Sequence, residues 1–181
     1  PETASLDLLP HLWLRNTWAW GRDDRGGTLT DVDPNELESG RLRAIEADHS
    51  FLGRYYLSAE GHPDVLFCDN ETNAADLWGQ ENRSQYSKDG IGRRVVGGDV
   101  DAVNPERTGT KAAFWFQLDE IAPGGTVEVK LRLSMNPPDE QTFGRGFDAV
   151  VADRQAEADE FYDAVIGADL DDADRHVARR A

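Results

Sequence analysis

The run Asp69-Asn70-Glu71-Thr72-Asn73 sets carboxylates, carboxamides and a hydroxyl side by side at the end of an apolar stretch. Groups of this kind accept and donate hydrogen bonds densely enough to converge on a hydroxyl-rich ligand. The same residue types also build an Asx-turn followed by a helix cap, a purely structural use. A second candidate is the pair Trp18 and Trp20, which share a parity and lie close to Arg22. Exposed, the two rings would stack on the C–H faces of a sugar; buried, they would complete a core. Glycosidase chemistry needs two carboxylates roughly 5 to 9.5 Å apart. With 35 acidic residues in the chain, spacing singles out no such pair, and any given acid reads as solvated surface.

Other patterns carry less. Gly90-Ile91-Gly92-Arg93-Arg94-Val95 lacks the third glycine and the preceding strand of a dinucleotide fingerprint. Asp169, Asp171, Asp172 and Asp174 lack the glycine and terminal glutamate of a calcium loop and suit a helix N-terminus instead. Asn70-Glu71-Thr72 and Asn82-Arg83-Ser84 match the N-glycosylation pattern, which is too short to weigh much. Cys68 is the only cysteine, and the four histidines are scattered. Neither a disulfide framework nor a locally built zinc site is expected, and no cofactor is implied.

The elements that must position these residues are mostly strands. Residues 4–15 read as one, with Leu6, Leu8, Leu12 and Leu14 on one parity and Asp7, Leu9, His11 and Trp13 on the other. Pro10 cannot donate to a ladder and places an edge or a bulge there. Residues 21–40 read as a long loop with turns at Gly26-Gly27 and Asp33-Pro34. Arg41–Asp48 suits a short strand, and Arg54–Ala59 and Val65–Asp69 suit two more, joined by the turn Glu60-Gly61-His62-Pro63. A helical turn over Ala74–Trp78, with Asn73 as N-cap, is expected inside an otherwise aperiodic 70–104 segment. Ala112, Phe114, Phe116 and Leu118 alternate with other residues, as do Val127, Val129, Leu131 and Leu133. With Ala122-Pro123-Gly124-Gly125 between them, these two runs predict a hairpin. Residues 147–166 switch to helical spacing, with Phe147, Val150, Val151, Arg154, Ala158, Phe161, Tyr162 and Val165 on one stripe, and a second helix begins near Asp169. Strands followed by helices imply a mainly β fold, an antiparallel β-sandwich over 1–140 with a helical segment over 141–181.

Composition bounds the rest. The net charge is −16, only three of the 19 basic residues are lysine, and Asp outnumbers Glu by 22 to 13. Short carboxylates with few lysine stems suit a cytoplasm of molar salt, where screening over ~3 Å removes self-repulsion. The chain has no basic stripe for nucleic acid and no apolar run of membrane-spanning length. It opens at Pro1 almost directly on an apolar element, and its last residues still look helical, so a piece of a larger protein is expected.

Several segments taken in order resemble a known family. Leu8-Leu9-Pro10-His11-Leu12-Trp13-Leu14-Arg15-Asn16-Thr17-Trp18-Ala19-Trp20-Gly21 is similar to a stretch in the N-terminal β-sandwich of glycoside hydrolases related to family 63, the mannosyl-oligosaccharide glucosidase-like proteins. Leu66–Asn73, Leu77-Trp78-Gly79, Lys88-Asp89-Gly90, Ala102–Pro105, Gly109–Ala113 and Glu157–Tyr162 follow in the same order. The resemblance implies a supersandwich-like β-sandwich leading through a linker helix into an (α/α)6 barrel that carries both catalytic carboxylates. No catalytic residue then falls within this chain. Its partners would be that barrel and a carbohydrate, with Asn70, Glu71, Thr72, Asn73, Lys88 and Asp89 at the barrel interface or the substrate pocket. Gly90-Ile91-Gly92 stands where the family has a more aromatic, His-containing run, which argues against direct sugar contact from that loop. The alternative reading is a free-standing carbohydrate-binding β-sandwich that uses Trp18 and Trp20.

Overall fold

The computed structural model describes residues 2–21, 26–33, 37, 41–167 and 170–179. The chain divides into two compact units, Pro1–Glu140 and Gln141–Ala181. The first unit holds β1 (Ala4–Leu8), β2 (His11–Trp13), β3 (Gly27–Asp31), β4 (Leu42–His49), β5 (Gly53–Glu60), β6 (Asp64–Cys68), β7 (Thr108–Gly109), β8 (Lys111–Ile121) and β9 (Leu131–Ser134). All the ladders are antiparallel. β8 is the spine of a four-stranded sheet, with β1 and β2 end to end along one side and β6 along the other. The second sheet has the order β7-β3-β4-β5-β9.

Pro10 explains the break between β1 and β2. It has no N–H to give to the ladder, yet its carbonyl still accepts from Phe114 N at 3.1 Å, so the strand resumes in register on the sheet edge. The inner faces of the two sheets make the main core. Leu29, Ile45, Ala47 and Ala59 come from one sheet, and Val65, Phe67, Ala112 and Phe114 from the other. Fully burying a side chain such as Phe67 or Phe114 contributes roughly 1.5–3 kcal/mol. Leu12 and Leu14 pack on this core as their parity requires, while Leu6 and Leu8 of β1 stay exposed. Asp31 accepts from Arg43 Nη2 and from Arg107 Nε, each at 2.9 Å, which neutralises a nearly buried carboxylate.

Two expectations fail here. Residues 112–118 and 127–133 do not form a hairpin. After the Ala122–Gly125 turn the chain crosses to the other sheet, where β9 pairs with β5, while β8 pairs with β1, β2 and β6. Alternation specifies which face of a strand is apolar but says nothing about its neighbour. Likewise, 21–40 is not wholly loop, because Gly27–Asp31 is β3 and its Leu29 is fully buried. A Cβ on Gly27 would sit 2.5 Å from the Asp48 carbonyl oxygen, so this glycine serves a close backbone approach. Pro34, the second half of the expected Asp33-Pro34 turn, lies outside the described residues, as does Arg22. The Glu60–Pro63 turn is present and carries the chain from β5 in one sheet to β6 in the other.

The 70–104 segment is more regular than its composition implies. It holds α1 (Ala74–Trp78), α2 (Gly90–Gly97) and a 3-10 turn at Val100–Ala102. Ile91 of α2 seals a second core on the outer face of the four-stranded sheet with Leu66, Cys68, Ala113 and Trp115, and Leu9, Tyr86, Val95 and Val103 pack around it. Trp115 is clamped there, since its Nε1 donates to Asp7 Oδ1 at 2.7 Å and the Arg94 guanidinium lies 5.2 Å from its ring centre.

The second unit is helical, with α3 (Arg145–Val165) and α4 (Asp172–Ala178). Asp171 caps α4 by accepting from Asp174 N at 2.8 Å, the use expected for this acidic run. Asp169 lies outside the described residues. Arg175 pairs with Asp163 at 3.3 Å, and Arg179 pairs with Asp159 and lies over the Tyr162 ring. No residue of α3 is buried, and Val150, Val151, Phe161 and Val165 of its apolar stripe are more than half exposed. The protein is therefore mainly β with helices at its C-terminal end. Among the described residues no helix is long and apolar enough to cross a membrane.

Candidate functional site

The site begins where β6 runs out. Asp69 N donates to Tyr86 O at 2.7 Å, and the carboxylate then ties two remote segments together. Its Oδ2 accepts from Ser84 Oγ at 2.7 Å, and its Oδ1 accepts from Thr110 N at 3.2 Å and Thr110 Oγ1 at 3.3 Å. Thr110 is almost wholly buried, and its hydroxyl oxygen also accepts from Asn70 N at 2.9 Å. Gly109 makes this approach possible, because a Cβ there would meet the Cys68 carbonyl oxygen at 2.3 Å.

Asn70 and Glu71 are held by the residues following β2. Asn70 Nδ2 donates to Leu14 O at 2.9 Å, and Asn16 Nδ2 donates to Asn70 O at 2.7 Å and Glu71 Oε2 at 3.1 Å. Trp18 Nε1 donates to Glu71 Oε1 at 2.5 Å. Glu71 is buried, and both its oxygens are engaged by neutral donors.

Asn73 and Asp89 form the third part. Asn73 caps α1, its Oδ1 accepting from Asp76 N at 3.2 Å as the sequence predicts, and it also accepts from Asn82 Nδ2 at 3.0 Å. Its own amide donates to Asp89 Oδ2 at 3.0 Å, while Ser87 Oγ donates to Asp89 Oδ1 at 2.7 Å. Burial alone would push the Asp89 carboxyl up. The hydrogen bonds from Asn73 and Ser87, with the Arg93 charge 3.6 Å away, hold it below the usual value instead. Lys88 N donates to Glu71 O at 2.9 Å, Lys88 Nζ to Thr72 Oγ1 at 3.1 Å, and Lys111 Nζ to Lys88 O at 3.1 Å.

The structure thus brings Asn70, Glu71, Thr72, Asn73, Lys88, Asp89 and Trp18 into one network. Trp20 stands apart. Trp18 and Trp20 share a 3-10 turn, so their rings do not form a matched pair. Trp18 turns its indole N–H to Glu71, whereas Trp20 is 58% exposed, with the Arg15 guanidinium 5.6 Å from its ring centre. Asn16, Asn82, Ser84, Ser87 and Thr110 also belong to the network and were not picked out as members by their spacing. Asn70 and Asn82, the asparagines of the two sequons, each donate one amide hydrogen bond within the network.

A network closed on itself acts as a rigid scaffold for the surface beside it. On the helices that follow Asn73 and Asp89, Leu77 and Trp78 of α1 and Val96 of α2 are 59%, 64% and 89% exposed, and Val100 in the turn after α2 is 63% exposed. Among the described residues no group of three or more His, Cys, Asp or Glu could hold a metal ion. A separate open groove of about 450 Å³ lies between the β5–β6 turn and β8, lined by His62, Asp64, Trp115 and Gln117 among others.

No known protein-family profile matches the chain, and no solved structure does. It is similar to the uncharacterized protein YMR196W of Saccharomyces cerevisiae, at 28% identity over 211 aligned residues. The match takes in 99% of this chain and 19% of the yeast protein, so the chain spans about a fifth of that relative's length.

Proposed function

We propose that this chain is a non-catalytic β-sandwich segment of a glucosidase-like glycoside hydrolase, which packs on a catalytic (α/α)6 barrel of the same protein and helps wall its sugar pocket. The observation that carries this reading is the convergence of the resembling motifs. Asn16 and Trp18, Asn70–Asn73, Lys88-Asp89 and Thr110 are remote in sequence and meet in one hydrogen-bonded network. Motifs that meet in space support a shared role better than motifs in linear order do. The exposed apolar side chains beside the network, Leu77 and Trp78 above all, suit a covering partner. The acidic, lysine-poor surface suits a high-salt cytoplasm.

The test is an α-glucosidase assay in molar salt on this chain and on its longer parent. The parent should turn over substrate and the chain alone should not. Turnover by the chain that a single Asp or Glu substitution abolishes would overturn the proposal.

One observation favours the second reading, a free-standing carbohydrate-binding module. Trp20 offers an exposed indole beside Arg15, a surface on which a sugar ring can stack. Saturable binding of maltose to the chain, lost in Trp20→Ala, would decide for it.

A further inference from the structure

The chain carries 35 carboxylates and only three lysines. Lys130 has Glu128 at 3.8 Å. Among the described residues, neither Lys88 nor Lys111 has a carboxylate within ion-pair distance. Lys88 Nζ instead donates to the Thr72 hydroxyl, and Lys111 Nζ to the Lys88 carbonyl. The nearby carboxylates are already taken, Asp69 by Ser84 and Thr110, and Asp89 by Asn73, Ser87 and Arg93. In so acidic a protein, two ammonium groups held only by neutral oxygens at one corner leave capacity for an anion from solution.

The ladder supplies an aromatic face at the same corner. Lys111 of β8 lies directly opposite Trp13 of β2, and Ala113 opposite His11. Cross-strand partners have Cβ atoms roughly 4.5–5.5 Å apart and share a face of the sheet. Trp13 is 57% exposed, the only large aromatic side chain of β2. The His11 imidazole is held below its ordinary value by burial and by the Lys111 charge, which places that ammonium group close to it.

We propose that Trp13, Lys111, Lys88 and Thr72 form a binding site for a ring-bearing anion, such as a sugar carrying a carboxylate or a phosphate. The anionic group bridges Lys88 and Lys111, and the ring lies on the Trp13 indole. The site needs no partner chain, so it stands or falls independently of the function proposed above.

NMR titration of the full 181-residue chain, following the Trp13 indole signal, tests the site with four probes: glucuronate, glucose 6-phosphate, inorganic phosphate and neutral glucose. Glucuronate or glucose 6-phosphate should shift the signal saturably at concentrations where glucose does not, and the tighter of the two names the anion. Both Lys88 and Trp13 are exposed, so Lys88→Gln and Trp13→Ala should fold. Lys88→Gln should weaken binding by about tenfold or more, the loss of one charge-assisted hydrogen bond. Trp13→Ala, followed by calorimetry, should weaken the sugar ligand and leave inorganic phosphate unchanged. An absence of saturation, equal affinity for glucose, equal affinity for inorganic phosphate and glucose 6-phosphate, or unchanged affinity in Lys88→Gln would each overturn the site.

Discussion

Trp18 Nε1 donates to Glu71 Oε1 at 2.5 Å, joining residues 53 positions apart in the chain. The bond ties the 3-10 turn after β2 to the loop after β6, and Asn16 reinforces it on the other carboxylate oxygen. Glu71→Ala leaves two donors without their acceptor and should cost about 2–4 kcal/mol. Trp18→Phe removes one donor and should cost about 1.5–3 kcal/mol. Urea melts of both single variants and the double variant check this. The double variant should lose less than the sum, because the two residues share one bond.

Two glycines two residues apart should behave oppositely. A Cβ on Gly90 would sit 2.1 Å from the Ala102 carbonyl oxygen, whereas one on Gly92 meets nothing within 4 Å. Gly90→Ala must push α2 off the Val100–Ala102 turn and should cost about 1–3 kcal/mol. Gly92→Ala, inside the same helix, should stabilise by about 0.5–1 kcal/mol. Paired denaturation curves report both. Equal effects would show that α2 does not pack as described.

The Cys68 thiol is fully buried, and burial pushes it up to about 12. Only the thiolate reacts, so a disulfide reagent at pH 8 should leave the folded chain unlabelled and label it fully in urea. Fast labelling without denaturant would mean that α2 opens readily from the outer face of the sheet.

Asp89 makes stability depend on acid. Its folded-state value lies below the ordinary carboxylate value, so its contribution is complete above about pH 5 and is lost as pH falls through the folded-state value. Asp89→Asn should therefore be less stable than the parent at pH 7 and lose less on acidification. Urea midpoints measured between pH 7 and pH 3 should converge toward the acid end.

Much of the local structure was legible in residue order. The Asn73 cap, the helix at 145–165, the alternation of β8 and the interruption at Pro10 all follow from side chains acting within a few residues of themselves. The glycine-rich stretch that became α2 was harder to see, because glycine has poor helix propensity and packing against the sheet overrode it. Even there, Ile91 and Val95 stand one helical turn apart on the face that packs. β3 was hidden for a similar reason, since Gly26 and Gly27 imitate a turn while Gly27 serves a close backbone contact and Gly26 lies against the His49 ring.

By itself, the sequence determined a mainly β chain with C-terminal helices, which faces of its strands are apolar, and an acidic surface with few lysines. Tertiary structure decided which strands pair, sending β9 to β5 and leaving β8 to β1, β2 and β6. It also decided that Asn16 and Trp18 close on Asn70 and Glu71, and that Lys111 Nζ reaches the Lys88 carbonyl. Periodicity records how a side chain divides between water and core, a property of each residue alone. Pairing depends on backbone groups that every residue carries alike, so partners are chosen only when the whole set of faces is packed at once.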